Sequence, residues 1–121
     1  MKALSIKQPY AELIIQGKKK IELRNWKTYF RGEFLIHAPK NPDFDAMKRF
    51  NFNNLSLGGI VGKANLTDVK LYKSELEHNM DGSLHLASSD WGKFGFILEN
   101  PVRLNFIPMK GQLNFFEVDL K

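Results

Sequence analysis

The sequence predicts an α+β domain, a small β-barrel carrying little helix. Three observations lead there. Short segments alternate apolar and polar residues at the period of a strand. Glycine, proline and asparagine punctuate them closely. Only one stretch has clear helical spacing. Ten phenylalanines in 121 residues, several in segments such as Phe94-Gly95-Phe96-Ile97-Leu98, add to the β character.

Taken in order, Ala3-Leu4-Ser5-Ile6 forms a first strand with Leu4 and Ile6 on one face. Pro9 stands where helices start. Tyr10, Leu13 and Ile14 then repeat at i, i+3 and i+4, and Gly17 is a left-handed stop, so a two-turn helix is expected over about residues 9–16. A helix that short persists only by packing on a sheet. A strand over 20–24 follows, then a loop, then a strand at 33–38 whose apolar run indicates cover on both faces. Pro39 and Pro42 end it. Residues 43–52 are helical or irregular, and 51–54 are turn material. Gly58-Gly59 opens a strand over 60–66, with Gly62 marking a bulge or a close backbone approach. Residues 68–80 are mixed, with a short helix at 73–78 capped by Ser74, and Asp81-Gly82 is a turn. Strands at 91–98 and 114–120 complete the set, separated by Pro101, Pro108 and Gly111.

Most of the chemistry is concentrated between Gly17 and Trp26. Alternation along 20–26 places Ile21 and Leu23 on one face as core, and Lys20, Glu22, Arg24 and Trp26 on the other as a site face. Trp26 has two placements. An indole continuing the charged face offers a flat apolar surface to a nucleobase, whereas a twist or bulge after Arg24 turns it into the core.

A chain of 121 residues makes one domain, 1–121, large enough for a true core. The lack of cysteine excludes disulfides and thiolate metal sites and allows a reducing compartment, so a cytoplasmic protein is expected. No stretch approaches the ~20 apolar residues of a membrane span. The net charge is +5, and nine of the 18 Lys and Arg lie between residues 18 and 49 against four acids. A basic first half favours a polyanionic partner such as RNA or DNA.

Leu4-Ser5-Ile6-Lys7-Gln8-Pro9-Tyr10-Ala11 followed by Gly17, Lys19, Glu22 and Arg24 spells S-I-x-Q-P-[WY]-A and then G-x-K-x-x-E-x-R. Together they resemble the ASCH domain of the PUA-like superfamily. Phe30-Arg31-Gly32 before Leu35-Ile36-His37-Ala38, Gly58-Gly59-Ile60-Val61-Gly62, Asn100-Pro101, and the segment from Lys110 to Val118 extend the resemblance over nearly the whole chain. It implies a PUA-like small mixed β-barrel, with the helix packed over a cleft that the G-x-K-x-x-E-x-R residues line.

By the same resemblance Gln8, Tyr10, Lys19, Glu22 and Arg24 are cleft residues, with Trp26 joining them from the alternation. Lys19 has the opposite parity to Glu22, so it must sit in the turn or beside a bulge to share the cleft. The implied ligand is RNA or a nucleotide-like molecule, with no cofactor and no metal. Some bacterial relatives in the family hydrolyse N4-acetylcytidine, and others are described as ribonucleases. In an enzyme, Lys19 and Glu22 would be the catalytic pair, although Glu22 stands where those amidohydrolases carry threonine. A further acid would come from Glu75 or Glu77. His37 is either a core-edge histidine bonded to backbone or a proton shuttle. His78 and His85, near Glu75, Glu77 and Asp81, match no metal-ligand spacing.

Overall fold

In the computed structural model the described residues are 1–87 and 92–120. In chain order the elements are β1 (Lys2–Ser5), α1 (Tyr10–Ile15), β2 (Ile21–Arg24), β3 (Gly32–Ala38), α2 (Phe44–Arg49), β4 (Gly59–Leu71), α3 (Glu75–Met80), α4 (Gly82–His85), β5 (Phe94–Pro108) and β6 (Phe115–Glu117). One mixed six-stranded sheet runs β2-β5-β4-β3-β1-β6, in which β1 and β3 pair in parallel and the other pairs are antiparallel. Helices are few and short, as expected of the α+β class.

Curvature comes from the long β4–β5 ribbon, whose register shifts at three places. Gly62 sits at one of them. A Cβ there would lie 2.7 Å from the Val102 carbonyl oxygen and 2.9 Å from Ile15 Cδ1, so glycine lets the strand bend closely under α1. Pro101 and Pro108 were expected to separate strands, yet β5 runs through Pro101 and ends only at Pro108. Asn100 and Pro101 occupy another shift, with Asn100 at φ +52°, where the ladder needs no proline N–H. The expected strand start at Trp91 lies outside the described residues. β6 is shorter than the expected 114–120.

All six residues of α1 are buried, and Leu13 and Ile14 pack with Phe34, Ile36, Leu66 and Phe96 in the main core. Gly17 ends the helix at φ +78°. Ile21 and Leu23 pack with Tyr72 in a separate apolar cluster, so β2 buries one side and leaves Glu22 and Arg24 half-buried on the other. Beneath it, Tyr72 donates its hydroxyl to Asp81 Oδ2 (2.6 Å), which also takes Lys70 (2.9 Å) and fixes the α3–α4 corner.

The sheet is not closed by backbone pairing, because β2 and β6 are its two edges. Side chains bridge the gap instead. Arg24 Nη2 donates to the Ser5 carbonyl (2.8 Å), and the Trp26 ring meets Phe96 at 5.2 Å and Phe115 at 5.9 Å, both edge-on.

Candidate functional site

A cavity of about 430 Å³ opens along this seam, in the size range of small-ligand sites. Its walls come from Ser5–Lys7 after β1, Tyr10 at the start of α1, β2 with Trp26, and residues 112–114. Helix start and motif strand therefore face each other across one space.

Lys19 resolves its parity by lying in the turn before β2. Its backbone N–H bonds the Leu13 carbonyl (3.0 Å), which winds the chain tightly after α1 and swings the side chain inward. There it is 3% exposed, with Nζ 2.5 Å from the His85 carbonyl, 3.5 Å from Glu22 Oε1 and 5.2 Å from the Tyr10 ring centre. Burial pushes the lysine below its usual pKa, Arg24 adds to the fall, and Glu22 opposes it. Tyr10 is held above its ordinary value, by burial first and then by the nearby Asp43 and Glu22 carboxylates.

Glu22 lies opposite Phe96 across the β2–β5 pair, on the face toward the cavity. Its carboxylate is shared. Oε2 accepts from Arg24 Nη2 (2.8 Å) and Nε (3.2 Å), while Oε1 faces Lys19. Two cations thus share one anion, leaving an excess of positive charge and the Arg24 Nη1 amino group without a protein partner among the described residues. Trp26 satisfies both readings of its position. The strand ends at Arg24, and the half-buried indole packs on the core while it lines the cavity.

Gln8 is not among the residues lining this cavity. Its Oε1 accepts the Glu12 N–H (2.9 Å) and its Nε2 donates to the Ser56 carbonyl (3.2 Å), so the buried amide is spent on capping α1 and tying down a loop. Glu75 and Glu77 lie on α3 and are not among the residues lining this cavity; Glu77 accepts the Lys73 N–H. His37 is bonded to backbone. Its Nε2 faces the Met109 carbonyl (2.7 Å) and so carries the proton, which leaves Nδ1 to accept from the Ser5 hydroxyl (2.9 Å). Among the described residues no three metal-ligating side chains cluster.

His85 acts at the site through its carbonyl, a role no side-chain pattern announces. The ring is fully buried. Its Nδ1 accepts the Ala87 N–H (3.0 Å), so Nε2–H donates to the His78 carbonyl (2.7 Å). Burial lowers its pKa, which favours this neutral form.

A strongly bent mixed sheet, a short helix packed on its main core and a cationic cleft between the helix start and β2 define a PUA-like α+β domain. The ASCH domain matches residues 4–107, and the chain belongs to that family. Over 133 aligned residues it is 29% identical to activating signal cointegrator 1 of Mus musculus and 27% identical to that of Homo sapiens. Each alignment takes in 98% of this chain and 22% of the relative, so the chain spans about a fifth of the length of the curated relatives it matches. Among solved structures, a serine-to-alanine variant of ZmASCH from Zymomonas mobilis superposes with a TM-score of 0.71 at 14% identity, covering 98% of this chain and 88% of the other. The ASCH protein of the same organism gives 0.63 at 17% identity, covering 88% and 72%. At such identities the likeness concerns the fold. No helix among the described residues is long and apolar enough to cross a membrane.

Proposed function

We propose that this domain binds RNA or a nucleotide-like ligand in the seam cavity. The observation that carries the reading is one space lined by the Trp26 indole, by Lys19 and Arg24, and by a single carboxylate that both cations share. A planar base can rest against the indole, while the free Arg24 amino group and the surplus charge attract phosphate. Net charge of +5, biased toward the first half, favours encounter with a polyanion. The cysteine-free composition suits a reducing compartment, and we place the protein in the cytoplasm. Titration with labelled single-stranded RNA at several salt concentrations tests the reading. Affinity should fall as salt rises and fall again in Lys19→Met; salt-independent or absent binding sinks it.

One observation favours a hydrolase as the second reading. Lys19 is a desolvated lysine beside a carboxylate, a combination that lets the amine give up its proton more readily than an ordinary lysine. Glu22 is its partner, and Tyr10 lies within reach of the same space. Incubation with N4-acetylcytidine and with RNA, products being followed by mass, separates the two. Turnover lost in Lys19→Met establishes an enzyme; intact substrates with RNA retained leave a binding module.

A further inference from the structure

A second cavity of about 420 Å³ adjoins the first. The two share Ser5, Pro39, Gln112 and Leu113 as walls, so they are neighbouring rooms on either side of the segment 109–114. That segment is pinned from below. Met109 donates its N–H to the Gly58 carbonyl (3.0 Å) and accepts from His37 through its own carbonyl. Gly111 then lies flat on the His37–Ser5 pair, so closely that a Cβ would stand 2.5 Å from His37 Cε1 and 2.6 Å from Ser5 Oγ. Leu113, held past this anchor, is 90% exposed at the boundary between the rooms.

The charges in the second room differ from those in the first. Lys40 and Lys110 line it, both exposed, and neither has an ion-pair partner among the described residues. None of its lining residues is acidic. Lys7, also exposed and without an ion pair, stands at the wall of the first room. A continuous path thus runs from the Trp26 cavity past an exposed apolar side chain to two uncompensated lysines.

We infer that the ligand is a single strand of at least two nucleotides: one base enters the Trp26 cavity, and the adjoining backbone crosses Leu113 to Lys40 and Lys110. This rests on the nucleic-acid reading of the first cavity and names its substrate class. A free nucleoside would leave the second room empty. A duplex would keep its bases stacked and away from Trp26.

The test compares a mononucleotide, a six-residue oligoribonucleotide and the same hexamer in duplex form, against the intact chain and a Lys40→Ala/Lys110→Ala variant. The hexamer should bind at least tenfold tighter than the mononucleotide and than its duplex. In the variant, hexamer affinity should fall about tenfold. Two lost phosphate contacts at about 0.7 each should flatten the salt dependence by about 1.4 in log–log slope, with mononucleotide affinity unchanged. Both lysines are exposed, so an unchanged melting temperature confirms that the variant is folded. If mononucleotide and hexamer bind alike, or the variant binds the hexamer as the parent does, the extended path is wrong while the first cavity keeps its role. Equal binding of the duplex overturns the single-strand assignment. Failure of every probe to bind overturns this inference together with the reading beneath it.

Discussion

Two ionic groups flank α1, and they are built differently. On one side Arg103 of β5 clamps Glu12 with two parallel bonds, Nη1 to Oε1 at 2.7 Å and Nη2 to Oε2 at 2.8 Å, and Gln16 completes the carboxylate at 2.7 Å. One cation meets one anion. On the other side Lys19 and Arg24 divide the single carboxylate of Glu22, and each spends further donors on a backbone carbonyl, of His85 and Ser5 respectively. The first group closes on itself and joins a helix to a sheet. The second is left with excess charge, a depressed lysine pKa and an opening to solvent, so incomplete internal pairing is what separates the proposed site from a fastening.

Perturbing the two groups should sharpen that contrast. The largest stability loss is expected from Glu22→Gln, which leaves two poorly hydrated cations facing each other. A cost of about 2 to 3 kcal/mol in urea unfolding is expected, somewhat below a fully buried pair because Arg24 reaches solvent. A loss no greater than that of an exposed pair would place Glu22 among ordinary surface acids. Next comes Trp26→Leu, expected to weaken RNA binding by about 1 to 2 kcal/mol, within the range for one base–aromatic stack. Unaltered affinity in a folded variant would reduce the indole to a packing residue.

Lys19→Met comes third. It removes a desolvated charge but leaves Glu22 its Arg24 partner, so stability should stay within about 1 kcal/mol of the parent while RNA affinity drops about tenfold. Alkaline titration gives the same residue a signature. Because the folded-state pKa is depressed, the cavity loses a charge as pH rises through that lowered value, before an ordinary lysine would titrate. Binding should fall over that interval, and Lys19→Arg should move the fall to higher pH.

The smallest effect is expected at the fastening. Arg103→Ala should cost about 1 kcal/mol, since the lost guanidinium is largely exposed while the buried Glu12 keeps its Gln16 bond, and should leave RNA affinity intact. Glu12 sits below its usual pKa, chiefly through the Arg103 bonds. The unfolded chain therefore binds the extra proton first, and the pair's stabilisation is present above the unfolded carboxylate pKa and lost as pH falls through the folded one. The variant should lose that acid-side dependence.

Alternation alone was enough to orient β2, because a strand's period of two leaves Glu22 and Arg24 no other face once Ile21 and Leu23 are buried. The parity conflict at Lys19 left the turn or a bulge open, and the residue lies in the turn. The bonds of Gln8 were not legible, for a physical reason. A helix-start amide has two donors and an acceptor that the backbone nearby can consume, and residue type does not reveal whether it has done so. Arg103 escaped notice because Asn100 and Pro101 look like a strand end until the bulge accommodates them. The contribution of His85 is a main-chain oxygen, which any residue could supply. Leu113 was invisible for the opposite reason, being a leucine where leucines are presumed buried.

The unpaired seam has a kinetic consequence. Where β2 meets the end of β1, the ring is fastened by a guanidinium on a carbonyl and by aromatic edges, a clasp rather than a weld. Amide protons along that margin should exchange with solvent sooner than those of the β3–β4 ladder. A ligand lodged in the gap would touch both margins at once and slow their exchange together, so occupancy could be timed by deuterium uptake without any label on the ligand.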